Sequence, residues 1–189
     1  MRHIPLALLS LLPAAAWAHP NSDDHAHGTG FVDGLLHPLG GADHLAAMVA
    51  VGLWAALTGG RALWAYPLAF VAAMVLAGLA GVGQAPLPGM EQAILASVIV
   101  VGAAAALALR PPMAAALAAL ALFGAAHGYA HGVEGLAGAG YPAGFTLATL
   151  ALHAVGLVIG LMAMHVQRPV ITRGAAAITA IAGAWMALT

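Results

Sequence analysis

From about residue 33 onward the chain is a succession of long apolar runs separated by short polar breaks. Six runs can be drawn, at about 33–57, 62–82, 91–109, 113–133, 143–165 and 171–188. The breaks carry turn chemistry: Gly59-Gly60, GQAPLPG at 83–89, Pro111-Pro112, EGLAGAGYP at 134–142 and QRP at 167–169. Each run reaches or approaches the roughly 20 residues that a helix needs to cross hydrocarbon. Backbone N–H and C=O groups have no water partner there, so they must pair within the chain. Strict strand alternation is absent, which removes an outer-membrane barrel. The pattern predicts an all-α, polytopic membrane protein with a six-helix transmembrane domain over residues 33–189.

The first eighteen residues read differently. Arg2 and His3 precede an apolar stretch, Ile4 to Leu12, followed by Pro13 and the small-residue pattern Ala16-Trp17-Ala18. This is the layout of a cleavable signal peptide, 1–18, cut after Ala18. An uncleaved first anchor is the alternative, although the stretch is short for a span. Residues 19–32 would then form a periplasmic tail bearing His19, Asp23, Asp24, His25 and His27. Such a tail could hold a metal ion loosely or be an ordinary solvated segment. Pro20 has no amide N–H, so a chelate through a deprotonated second amide is excluded.

Composition sharpens the class. The chain of 189 residues is 63% hydrophobic and 6% charged, against about 25% charge in soluble domains. Its mean hydropathy is +0.98. Aromatics are few, and abundant Ala and Gly permit close helix approach in lipid. With no cysteine, disulfides and thiolate metal sites are ruled out. Five arginines and no lysine offer no basic surface to nucleic acid. With residue 19 outside, Arg61, Arg110, Arg168 and Arg173 all fall in inner loops, as the positive-inside rule requires. Both mature termini are then expected in the periplasm. Asp23, Asp24, Asp33, Glu91 and Glu134 gather on the outer side, where a negative mouth would concentrate divalent cations.

Against this background the polar groups inside the spans stand out. The first span carries His37, Asp43, His44 and Met48. On a regular helix His37 and His44 share a face about 10 Å apart along the axis, too far for one ion. Pro38 and Gly40-Gly41 offer a place for the helix to break and expose backbone carbonyls. Asp43 near mid-membrane would cost roughly 2.5–3.5 kcal/mol on lenient scales, and a cation or proton would offset it. In the fourth span, HGYAHGVE at 127–134 puts His127, His131 and Glu134 on one stripe. Glu134 could equally be a solvated loop residue. Gly124, Gly128 and Gly132 line the adjacent face and let another helix approach. His153 stands near mid-membrane in the fifth span, where an isolated histidine is as readily a hydrogen-bonded structural group as a ligand. The second, third and sixth spans show nothing comparable. Imidazole suits nickel, cobalt, zinc and copper, and the carboxylates balance a doubly charged ion. Binding through neutral imidazoles should weaken as pH falls through about 6.5.

The motifs together resemble the HupE/UreJ family of bacterial nickel permeases, associated with hydrogenase and urease gene clusters. His37, Asp43 and His44 match its His-x5-Asp-His stretch. His127, Gly128, Ala130, His131, Gly132 and Glu134 match its second signature, with Ala126 where the family commonly has Phe. The resemblance implies a signal peptide, six spans, and uptake of Ni2+ or Co2+ as substrate across the inner membrane. It also implies that the signature histidines and acids are essential. No resident cofactor is implied. The ligand set expected for the cation is His37, Asp43, His44, His127, His131, Glu134 and His153. Transport would be channel-like or secondary, since the inner loops have no room for a nucleotide-binding domain. Spans one and four do not behave as inverted copies, because both His-rich motifs lie toward the outside. Two other classes fit a His-rich bundle: an intramembrane zinc-dependent hydrolase, and a haem-carrying electron-transfer protein. Among mature serines only Ser22 and Ser97 exist, and neither is an obvious helper for a hydrolase.

Overall fold

A computed structural model describes residues 30–133 and 140–189. The signal-peptide and tail assignments for 1–29, and Glu134, lie outside the described residues. Seven helices are present among those described: α1 (Phe31–Gly40), α2 (Ala42–Thr58), α3 (Ala62–Gly81), α4 (Met90–Ala106), α5 (Met113–Val133), α6 (Gly140–His165) and α7 (Pro169–Leu188). Of these, α3, α5, α6 and α7 are each long and apolar enough to cross a membrane. A fifth span is formed if α1 and α2 count as one. The protein is therefore an all-α, multi-pass membrane protein.

The first expected span is not a single helix. It breaks between α1 and α2 with a bend of 87°. Pro38 cannot donate to the carbonyl of Gly34, which weakens the last turn of α1. Gly41 then takes an extended conformation (φ −104°, ψ 118°), and α2 restarts at once with Asp43 in its first turn. At the opposite end of α1, the Asp33 carboxylate accepts the Gly30 N–H at 3.0 Å and satisfies one otherwise orphaned donor.

The centre of the bundle is α2, which touches α1, α3, α4, α6 and α7. Nearly its whole length from Ala46 to Leu57 is buried, a pattern open to a helix ringed by other apolar helices. Glycines set the closest approaches. Successive turns of α5 lie on α3 by placing Gly124, Gly128 and Gly132 against Phe70, Met74 and Gly78. The paired numbers rise together, so α3 and α5 run parallel. Gly52 meets His153 and Leu157, and further along both helices Gly160 meets Ala56, so α2 and α6 are parallel as well. Against α7 the order reverses: Gly102 faces Ala176–Ala180 while Gly183 faces Val98, so α4 and α7 are antiparallel. One end of the bundle is tied by polar side chains that reach carbonyls at or just past helix C-termini. Trp54 Nε1 donates to Leu109 at 2.9 Å, Arg110 to Leu57 at 3.1 Å, and Arg173 to Ala106 at 2.7 Å.

Candidate metal path

The break at Gly41 changes what the first motif can reach. On a straight helix the His37 and His44 rings would be held apart, whereas here their centroids are 6.2 Å from one another. Both rings meet His131, at 4.6 Å for His37 and 4.8 Å for His44. His127, one turn earlier on α5, lies 4.8 Å from His44. Four of the sequence-predicted residues are thus brought together from α1, α2 and α5, with Asp43 beside them. His44, His127 and His131 are buried.

Hydrogen bonding orients the rings. The Nδ1–H of His44 donates to Asp43 Oδ1 at 2.9 Å, and the same oxygen accepts the His44 backbone N–H at 2.8 Å. A carboxylate on one nitrogen is the usual support for a histidine that ligates with the other. It leaves the lone pair of His44 on Nε2. That atom lies 2.7 Å from His131 Nε2, which supplies the proton between them. Gly41 makes room for this arrangement, because a Cβ there would stand 2.8 Å from Asp43 Oδ1 and 3.1 Å from His44 Nδ1.

As they stand, no three His, Asp or Glu groups among the described residues are spaced to close on one metal ion. The His44 and His131 Nε2 atoms are joined through a proton at 2.7 Å. Metal–nitrogen bonds near 2.05 Å would set the two nitrogens about 2.9–3.4 Å apart for coordination angles of 90–109°. From 2.7 Å the pair needs to open by well under 1 Å.

His153 does not join this cluster directly. Its ring packs edge-on against Phe70 at 5.3 Å, and Phe70 in turn lies 5.4 Å from His127. Both ring nitrogens of His153 are buried with no hydrogen-bond partner among the described residues. Met48 is fully buried in the apolar core.

Sequence reasoning missed several members of the site. Phe70 on α3 separates His127 from His153. On α6, Tyr141 and Phe145 stack on each other at 6.3 Å and wall the outer rings, with Phe145 4.5 Å from His131. Their spacing of four residues was the available signal. Ser97, which the sequence does not mark as an obvious helper for a hydrolase, has its Oγ 2.9 Å from His127 Nε2. The helix α4 therefore does contribute a polar group. A cavity of about 30 Å3, bordered by Met74, Gly78, Gly128 and Phe145, abuts His131 and is large enough for about one water molecule.

Fold and site together define a multi-pass helical membrane protein with a histidine network buried among its apolar helices. Residues 6–186 match the family described as HupE / UreJ protein. The chain is 39% identical over 182 residues to Protein HupE of Rhizobium leguminosarum bv. viciae, a similarity spanning 95% of this chain and 93% of that protein. The chain belongs to the HupE/UreJ family. No solved structure matches it.

Proposed function

We propose that this protein carries Ni2+ or Co2+ as substrate across the bacterial inner membrane, by channel-like or secondary transport. The observation that carries the reading is the meeting of His37, His44, Asp43, His127 and His131 from three helices inside the bundle. An aqueous ion brings six or so waters, and nitrogen and carboxylate ligands replace part of that shell for transition metals better than for Mg2+ or Ca2+. Glu134, the residue that follows α5 in the sequence, is a further ligand on this reading. His153, across Phe70, would be the next nitrogen on the inward side. An inside-negative potential favours entry of a divalent ion by about 4.6 kcal/mol per 100 mV.

The helix directions support six crossings rather than five. Because α3 and α5 are parallel, the chain must return between them, and α4 makes that return. Its 17 residues span about 25 Å at 1.5 Å per residue, and residues 107–109 lengthen the path. The three arginine-bearing inner loops then share one side. A cleaved 1–18 leader and a periplasmic 19–32 tail complete this arrangement, with the tail as a loose collector of ions. The metal would serve urease or hydrogenase maturation, as the gene association of the family suggests.

The hydrolase alternative finds no support in the serine. Ser97 gives its proton to the Ile94 carbonyl at 2.6 Å, the reverse of a nucleophile that donates to its histidine base. The test of the transport reading is ion uptake into proteoliposomes, with Ni2+, Co2+, Zn2+ and Mn2+ compared. His44→Ala and His127→Ala are run beside the parent. Loss of Ni2+ and Co2+ flux in both, with folding intact, is the expected result; unchanged flux in both folded variants refutes the site.

A further inference from the structure

Ser97 lies in the middle of α4, and past Glu91 and Gln92 in the first turn it is the sole polar side chain of that helix. It is fully buried. Its hydroxyl has one proton and two close neighbours, the Ile94 carbonyl oxygen at 2.6 Å and His127 Nε2 at 2.9 Å. A carbonyl oxygen only accepts, and two oxygens so close without a proton between them would repel. The proton therefore lies toward Ile94. The second contact must run the other way, with His127 Nε2–H donating to Ser97 Oγ. A neutral imidazole has one N–H, so the lone pair of His127 sits on Nδ1. That nitrogen is buried and has no hydrogen-bond partner among the described residues.

We propose that Ser97 is a positioning residue that locks His127 as its Nε2–H tautomer and so presents Nδ1 as the nitrogen offered to the metal ion. The role toward metal rests on the transport reading; the tautomer assignment does not. The arrangement is the counterpart of the Asp43–His44 pair, in which the carboxylate holds Nδ1–H and leaves Nε2 bare. Neighbouring histidines on α2 and α5 are thus set in opposite tautomers by two different partners. A buried acceptor without a partner calls for an explanation, and a ligand that visits the site supplies one.

The experiment is nitrogen NMR of the full chain, labelled with 15N-histidine and 13C-serine and reconstituted in lipid at neutral pH without metal. The His127 signal is the one lost in His127→Gln. Should that variant not fold, the signal is identified by its proximity to the labelled carbon of Ser97. The expected result is a protonated Nε2 and a bare Nδ1 in the parent, a tautomer mixture in Ser97→Ala, and the parent pattern again in Ser97→Thr. Ni2+ uptake by Ser97→Ala should show an apparent affinity weakened about 10-fold or more, as when other supporting partners of metal ligands are removed, and Ser97→Thr should restore it. A proton on Nδ1 in the parent, or an unmixed Nε2–H tautomer in Ser97→Ala, overturns the proposal. A parent with the stated tautomer but no metal uptake sinks the transport reading and leaves the lock in place.

Discussion

Gly128→Ala places one methyl group at the closest approach of α3 and α5. The new Cβ would stand 2.6 Å from the carbonyl carbon of Met74 and 2.7 Å from its Cα. Carbon atoms settle about 3.5–4.0 Å apart, so the two backbones must separate by roughly 1 Å. No side-chain rotation can relieve the contact, because the colliding atoms are main chain. Nor can α5 simply pivot. Gly124 and Gly132 hold it against Phe70 and Gly78 one turn to either side, with Cβ positions only 2.9 and 3.0 Å from the facing carbonyl carbons.

His127 and His131 flank Gly128 and would move with it, away from His44. Ligand constellations tolerate displacements of only about 0.5 Å, and a 1 Å error costs on the order of a hundredfold in function. Overpacking itself typically costs about 1–3 kcal/mol, which leaves a folded protein of lower thermal stability. The assay is Ni2+ flux into proteoliposomes with a metal-sensitive dye inside, alongside size-exclusion profiles in detergent. Gly174→Ala is the control, since nothing lies within 4 Å of a Cβ there, and it should leave both measurements unchanged. A monodisperse Gly128→Ala protein with parental flux would refute the claim that this helix contact positions the histidine pair.

Four further outcomes are expected. Asp43→Asn keeps the size and an acceptor for His44 but removes the charge, so Ni2+ uptake should fall about 10–100-fold; parental uptake would take the carboxylate out of the path. His153→Leu removes two buried nitrogens that lack partners, so thermal stability should rise by about 1–3 kcal/mol while flux drops; a loss of stability instead would mark His153 as a structural residue. Gly41→Ala puts a methyl group 2.8 Å from Asp43 Oδ1, so it should impair flux as Asp43→Asn does, without moving the unfolding midpoint by more than a few degrees. Because the chain has no cysteine, Ala85→Cys and Leu109→Cys can each be probed alone with an impermeant maleimide. Ala85→Cys should react only from the periplasmic face and Leu109→Cys only from the cytoplasmic face; labelling of both from one face would remove α4 as a crossing.

Much of this architecture was legible in the chain because lipid imposes length and apolarity on every span, and those can be read residue by residue. Pro38 and Gly40-Gly41 also marked a weak point in the first span. The size of the bend could not be read, since it depends on how α1 lies across α6, with Gly34 on Tyr141 and Gly144 on Phe31 and Leu35. That bend decides whether His37 and His44 can serve one ion. Phe70, Tyr141 and Phe145 were hidden for a different reason. In an apolar helix an aromatic side chain carries no mark of its neighbour, and only the relative directions of α3, α5 and α6 bring these rings to the histidines. Ser97 did carry a mark, as a lone hydroxyl in an apolar run, but its partner lies thirty positions away on another helix.

The hydrogen bonds of the network also bear on how tightly an ion could be held. In a structural zinc site the ligands find no comparable partners without the metal, so binding and folding share one free energy. Here His44 Nε2 and His131 Nε2 already bond to each other at 2.7 Å. An ion that takes both nitrogens must displace that bond and its proton, which subtracts from the affinity. When the ion moves on, the two rings can close again with each nitrogen partnered. Weak retention follows from the arrangement, and weak retention between neighbouring sites is what conduction requires. His127 Nδ1 and the two nitrogens of His153 have no such fallback. On the transport reading an ion leaving the outer pair therefore meets progressively less competition as it moves inward past Phe70.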